Sequence, residues 1–239
     1  MVNFNSQSVT LSQLTQLENI IALHDCIFSA KTQETENVIV HTHSTKAGLL
    51  GRWAAFFAGI TNRIHTIHGY GFHKYQNKIK WTTIYLLELF TSLITTHYIC
   101  VSSKDALKGT KLFPKFSKKH SIIRAAIEWK NFTSLSKVAS NDNIFIFGTI
   151  SCFKPAKNLI DLLKAFTVIY HKNKNVRLEI IGDGVLRSEI EEWIKEHDLK
   201  SCVSLHGWQN NVAQFMIKWN AFVMTSLWEG LPCAIIEAR

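Results

Sequence analysis

The chain has 239 residues, room for one large domain or two modest ones; 46% are apolar and 19% charged, which excludes a disordered or low-complexity protein and supplies a buried core. Three Pro and 11 Gly exclude collagen-like and linker-dominated architectures. The net charge of +9 lies wholly in the first part: residues 1–140 hold 16 basic and 7 acidic side chains and residues 141–239 hold 11 of each, so a basic unit suited to an anionic partner precedes a nearly neutral one.

The opening stretch, MVNFNSQSVTLSQLTQLENI, has neither the basic start nor the apolar run of a signal peptide, which speaks against secretion. Cys26, Cys100, Cys152, Cys202 and Cys233 form no CxxC pair and are odd in number, as expected of reduced, core-filling thiols in a cytoplasmic protein. Asn37–His41 (NVIVH) reads as a strand and Ser44–Gly59 as a helix opened by a Ser/Thr cap. Arg63–Ile67 is a second strand, running into the loop His68-Gly69-Tyr70-Gly71-Phe72-His73. A long helix through Leu93, a strand His97–Ser102, a Lys-rich segment and a strand His120–Arg124 follow. Thr82–Val101 approaches the length of a membrane span, but Glu88, His97 and five threonines favour a buried helix followed by a strand. The polar, aperiodic Asn131–Asn143 is the expected linker.

Beyond it the pattern restarts with strands at Ile144–Gly148, Val176–Ile181, Cys202–His206 and Ala221–Thr225, and helices at Leu159–Tyr170 and Val185–His197. Strand and helix alternating at this spacing indicate parallel βαβ units. The expected fold class is α/β, with two incomplete Rossmann-like, doubly wound parallel-sheet domains, 1–135 and 136–239, facing each other across a cleft at their strand carboxyl ends.

The densest chemistry lies at Ser226–Glu237 (SLWEGLPCAIIE), where a strand runs into a loop holding Glu229, Gly230, Leu231 and Pro232, with Glu237 eight positions after Glu229. Pro232 suits the first turn of a helix. Gly230 lets a ligand approach the backbone, and the N–H groups of Gly230 and Leu231 favour a phosphate. Two carboxylates flanking a phosphate cradle suit a sugar nucleotide, one carboxylate on the sugar and one on the ribose. A helix-capping Glu229 with a solvated Glu237 accounts equally well for the spacing.

In this setting Glu229 and Glu237 resemble the EX7E motif of family 4 retaining glycosyltransferases of the GT-B fold. Val38–His73 resembles the acceptor-side domain of the capsular and O-antigen polysaccharide type, and Gly148–Glu237 most of a nucleotide-sugar domain. The resemblance implies that His68 lies near the transferred sugar, Glu229 on its hydroxyls, Glu237 on the ribose and Lys157, in KPAKN, on the departing diphosphate. Cys152 occupies the place of the family's partner arginine, with Lys154 two residues on as its substitute. His43, Ser44 and Lys46 fall on the acceptor side. The implied reaction transfers a sugar with retention to a lipid-linked or polysaccharide acceptor in cell-surface polysaccharide synthesis. Fixed cations would stabilise the leaving group, so no metal or other cofactor is required.

His41, His43, His65, His68 and His73 carry no H-E-x-x-H or Cys/His spacing, which argues against a zinc site. Gly182-Asp183-Gly184 and Gly69-Tyr70-Gly71 read as strand-end turns lining the cleft. Lys104, Lys108, Lys111, Lys115, Lys118 and Lys119 interleave with Leu107, Leu112, Phe113 and Phe116, and Arg52-Trp53, Lys74-Tyr75 and Lys80-Trp81 add cation–aromatic pairs. This suits an anionic membrane surface, hence a cytoplasmic protein, peripheral on the membrane; a merely solvated face fits any one cluster as well, and nucleic acid is disfavoured for want of a binding motif. Against the family pattern the chain is short of a first strand–turn unit and of the strands after Glu237. Two readings follow: an enzyme completed by another chain or a longer gene product, or a catalytically inactive fragment of a split or decayed gene with at most residual ligand or membrane binding. The second is preferred for this chain alone.

Overall fold

The computed structural model describes residues 38–127, 132 and 143–238; the expected linker, apart from Phe132 and Asn143, and Cys26 lie outside them. The chain divides into two compact units, Met1–Ala125 and Ala126–Arg239.

In the first unit β1 (Ile39–His43), α1 (Thr45–Phe57), β2 (Asn62–Ile67), α2 (Lys78–Ile94), β3 (His97–Cys100), α3 (Ser103–Leu112) and β4 (His120–Ile122) alternate strand and helix. The four strands pair in parallel in the order β1-β2-β3-β4, with Val40 opposite Arg63, Ile64 opposite His97 and Tyr98 opposite His120. The Lys-rich segment is helical: the Ser102 hydroxyl accepts from the Asp105 N–H at 3.1 Å and donates to its carboxylate at 2.7 Å, a capping arrangement that starts α3. At α1 the expected Ser/Thr cap is absent. Ser44 holds the cap position, but its side chain makes no capping bond.

The core of this unit is aromatic. Phe72, Tyr98 and Phe116 are fully buried, and Phe72 meets the edge of Trp81 from α2 at 5.4 Å. Phe113 and Phe116 are therefore interior, and Lys119 turns inward to donate to the carbonyls of Ser92 and Thr95 at 2.5 and 2.9 Å. This corrects the expectation that these aromatics share an outer surface with the lysines around them. Arg52 joins α1 to α2: fully buried, it donates to Gly48 O at 2.8 Å, Thr95 Oγ1 at 3.1 Å and Glu88 Oε2 at 2.9 Å. Thr82–Val101 resolves into the rest of α2 and then β3, as expected, and among the described residues no helix is long and apolar enough to cross a membrane. The outer side of α2 is nevertheless exposed at Leu86, Leu87, Phe90 and Leu93, so the helix is buried on one side only.

The second unit runs β5 (Phe145–Ile150), a 3-10 turn (Pro155–Lys157), α4 (Leu159–Lys172), β6 (Val176–Ile181), α5 (Arg187–Glu196), β7 (Val203–Leu205), α6 (Ala213–Met216), β8 (Ala221–Phe222) and α7 (Cys233–Glu237). Its parallel sheet has the order β7-β6-β5-β8. Progress from β5 through β6 to β7 goes one way, and β8 then returns to the other side of β5. The loops leaving the neighbouring strands β5 and β8 therefore begin side by side at the strand carboxyl ends, the place where open α/β sheets bind ligands. Leu159, Leu162, Leu163 and Phe166 of α4 close over Leu178 and Ile180 of β6, with Ile190 and Ile194 of α5 in the same core. Gly148 admits the Trp219 indole against the strand: a Cβ there would stand 1.8 Å from Trp219 Cδ2. Trp219 Nε1 donates to Glu179 Oε2 at 2.7 Å. Cys100 and Cys202 are buried, Cys152 and Cys233 half-buried, and all four are free thiols.

Candidate active site

The switch point of the second unit brings two of the expected residues together. Lys157 ends the 3-10 turn after β5 and Glu229 lies in the loop after β8; Lys157 Nζ meets Glu229 Oε1 at 2.5 Å, with both side chains partly accessible at 29 and 22%. The two loops are stitched by backbone: Leu227 N donates to Ala156 O at 2.8 Å, and the Thr225 hydroxyl lies 3.1 and 3.0 Å from the carbonyls of Lys157 and Asn158. Asn158 takes a left-handed conformation at φ 52°, which turns the chain from the 3-10 turn into α4. From sequence, Thr225 is only the end of an expected strand. A hydroxyl where a strand leaves the sheet is the signal that could have marked it.

Lys154 is exposed on the same loop, two residues beyond the half-buried Cys152, and its ammonium makes no ion pair among the described residues. Gly230 and Leu231 precede α7, and their N–H groups donate to no described backbone carbonyl. Pro232 occupies the position before the first residue of α7, close to its expected place. Glu237 is the last residue of α7. It lines a pocket of about 260 Å³ with Phe132, Met216, Ile217, Trp219 and Phe222, and burial raises its carboxyl pKa.

In the first unit the parallel pairing of β1 with β2 aligns their carboxyl ends. His43, the last residue of β1, and His68, just past β2, meet through Nδ1 and Nε2 at 2.9 Å, so one ring donates an N–H and the other accepts it. The His41 ring lies 4.5 Å from that of His43, tilted by 38°, and reaches Thr66 Oγ1 at 2.7 Å. Desolvation, followed by the proximity of His43, lowers the His68 pKa and favours the neutral ring. Beneath them His65 is 4% exposed, with Nδ1 2.9 Å from Thr42 Oγ1. Its pKa falls to about 2, chiefly through burial and then the charge of Arg52.

Ser44, between His43 and α1, is held at φ 59°, ψ 159°. Non-glycine residues pay about 1–3 kcal/mol for such a conformation, and it recurs where a site demands it. Gly71 lets the loop after β2 rest on α1: a Cβ there would lie 2.3 Å from Thr45 Oγ1. Ser44 and Lys46 are both exposed at this end of α1, so His43, His68, Ser44 and Lys46 share one edge of the unit. No group of three or more His, Cys, Asp or Glu among the described residues could hold a metal ion.

Residues 131–239 match the model of the family Glycosyl transferases group 1. Over 240 residues the chain is 30% identical to the UDP-Gal:alpha-D-GlcNAc-diphosphoundecaprenol alpha-1,3-galactosyltransferase of Escherichia coli, with 96% of this chain and 61% of that protein covered. The capsular polysaccharide biosynthesis glycosyltransferase CapM of Staphylococcus aureus is 26% identical over 219 residues, covering 84% of this chain and 56% of its own length. Among solved structures, Anabaena Alr3699/HepE in complex with UDP and glucose matches with a TM-score of 0.71 at 16% identity, over 90% of this chain and 60% of that one. The shared fold is the α/β, parallel-sheet GT-B fold. The chain spans less than two thirds of the length of either curated relative.

Proposed function

We propose that this chain carries a glycosyltransferase group 1 domain as its second part and acts as a retaining family 4 glycosyltransferase. It takes a sugar from a nucleoside-diphosphate donor to a lipid-linked or saccharide acceptor in cell-surface polysaccharide synthesis, at the cytoplasmic face of the membrane. The observation that carries the reading is the Lys157–Glu229 pair at the switch point of the β7-β6-β5-β8 sheet. A cation and a carboxylate held there by two separate loops match the two ends of a nucleotide sugar. The E. coli relative, whose name specifies a UDP-galactose donor and a diphosphoundecaprenol acceptor, supports the substrate classes.

In this reading the donor exchanges partners with the pair. The diphosphate draws the Lys157 ammonium, and Glu229, released, accepts hydrogen bonds from sugar hydroxyls. Lys154 supplies the second cation, the Gly230 and Leu231 amides bind phosphate oxygens, and Glu237 takes the ribose hydroxyls. As the anomeric C–O bond to phosphate breaks, negative charge grows on the diphosphate, where fixed ammonium groups lower the barrier most and no metal is needed. The acceptor oxygen bonds to the anomeric carbon on the face the diphosphate leaves, and its proton passes to a phosphate oxygen. His68, kept neutral and oriented by His43, hydrogen-bonds the transferred sugar; His43, Ser44 and Lys46 form the acceptor side.

The test is release of nucleoside diphosphate from UDP- and GDP-sugars by the purified chain, with and without diphosphoundecaprenol-linked acceptor. Turnover that falls by 10- to 100-fold in Glu229→Ala, as loss of a charge-assisted hydrogen bond of about 1.5–3 kcal/mol requires, supports the reading. Nucleotide binding without turnover, indifferent to Glu229→Ala, returns the chain to the class of inactive fragments.

A further inference from the structure

The loop that carries His68 is held by side chains. Gly69 bends the chain just past His68 at φ 114°, and from Gly69 to Phe72 the backbone makes no hydrogen bond to other backbone among the described residues. Backbone groups that leave water need partners, and here side chains supply them. Gln76 Nε2 donates to Gly71 O at 2.8 Å, and Lys108 Nζ, from α3, donates to Phe72 O at 3.2 Å. The Tyr70 hydroxyl in turn donates to Asp105 O of α3 at 3.0 Å.

The face of α3 turned to this loop is shaped for it. Asp105, Lys108 and Gly109 stand at the i, i+3, i+4 spacing of one helix face. At Gly109 a Cβ would lie 2.5 Å from the Tyr70 hydroxyl oxygen and 2.4 Å from Phe116 Cζ, so the absence of a side chain there lets the phenol reach the helix. Lys108 differs from its neighbours on the helix. Lys104 and Lys111 are exposed, whereas the Lys108 ammonium lies over the rings of Phe72 and Tyr70, 4.4 and 4.9 Å from their centroids, while it holds the Phe72 carbonyl. Desolvation lowers its pKa, with the Asp105 carboxylate acting in the opposite direction. One cation thus joins two rings and a carbonyl of the same loop, away from bulk water, where such attractions are strongest. We infer that Lys108 and Tyr70 are positioning residues, which clamp the loop after β2 onto α3 and so hold the His68 ring against His43. Their effect on turnover rests on the reading of His68 as the group that meets the transferred sugar; their hold on the ring does not.

Nitrogen-15 NMR of the histidine rings in the full chain tests the clamp, at about pH 8, well above the ordinary histidine pKa. In the native chain His68 should show a single tautomer, its Nε2 shifted by the bond to His43 Nδ1. Lys108→Met and Tyr70→Phe should each move the His68 signals toward the average of two tautomers. Lys108→Arg, which keeps a cation over the rings, should restore the native signals, and Lys104→Met, the same charge change at an exposed position, should leave them native. In the transferase assay Lys108→Met should lower kcat about tenfold or more with the donor KM within about twofold, since the expected donor contacts belong to the second unit. Native ring signals in both Lys108→Met and Tyr70→Phe overturn the inference. An equal change in Lys104→Met also overturns it, because the effect is then one of net charge. Should Lys108→Met fail to fold, Tyr70→Phe, which keeps the ring and loses only the hydroxyl, decides alone. Ring signals that respond as expected in a chain without turnover support the clamp and count against the proposed reaction alone.

Discussion

Acid should destabilise the first unit through His65. The ring is 4% exposed and held at about pKa 2 by burial, then by the charges of Arg52, His43 and His41 around it. In the unfolded chain a histidine takes up its proton near pH 6.5. The unfolded state therefore binds a proton that the folded state refuses, and the stability that this group contributes is complete above pH 6.5 and drains away as pH falls toward 2. Between pH 7 and pH 5 the loss is about 2 kcal/mol. With a urea slope of roughly 1–3 kcal/mol/M, the midpoint should move by on the order of 1 M. Desolvation also lowers the pKa values of His41, His68 and His73, so they add in the same direction. The comparison is between the native chain and His65→Gln, which keeps a neutral polar group facing Thr42. The variant is less stable at pH 7, but its pH dependence between 7 and 5 should be flatter by about 2 kcal/mol. Equal slopes in the two proteins, or a His65 ring that titrates near 6.5 by NMR in the folded state, would refute the reasoning.

Arg52→Met should cost about 3–5 kcal/mol in chemical denaturation, because it leaves the Glu88 carboxylate buried and unpaired between α1 and α2; Arg52→Met/Glu88→Leu should recover most of it. Gly148→Ala should destabilise the second unit by roughly 1–3 kcal/mol and displace the Trp219 indole, read as a shift in tryptophan emission and loss of the Glu179 hydrogen bond. Thr225→Val removes the hydroxyl that links the loop after β8 to the carbonyls of Lys157 and Asn158. Titration with UDP-glucose should show weaker binding by several-fold, with a stability change of only about 1 kcal/mol.

Alternation of apolar, β-branched runs with helix-period segments was enough to read both parallel sheets, since each strand needs a crossover to reach a parallel neighbour. Element ends were less legible, for reasons that can be named. The strand expected over Ala221–Thr225 is only Ala221–Phe222, because Thr225 turns its hydroxyl to the loop after β5 instead of continuing the ladder. Helix α3 was hidden by its lysines, although Ser102 and Asp105 carry the capping signal at the right interval. The pairing of Lys157 with Glu229 spans 72 residues of chain, and spacing alone says nothing of it. It follows from the reversal of strand order, which sends the loops after β5 and β8 to the same place.

The basic excess shows where one-dimensional reading misleads. Lys104 and Lys111 on α3, and Lys115 and Lys118 around the 3-10 turn that follows, are exposed, whereas the chain leaves α3 at Phe113 in an extended conformation and turns the aromatics that lie among them in sequence inward. Phe113 and Phe116 accordingly enter the core, and what looked like a mixed cation–aromatic surface is an ordinary amphipathic one. On α2 the reverse holds. Trp81, Tyr85 and Leu89 already supply the inward face, and Glu88 is matched inside by Arg52, so Leu86, Phe90 and Leu93 are surplus to the core and stand in solvent. Among the described residues of this unit both carboxylates, Glu88 and Asp105, are buried, so the charges that its described surface shows are of a single sign. That distribution, which composition could not supply, makes the outer face of α2 a more specific feature of this unit than the +9 that first drew attention to it.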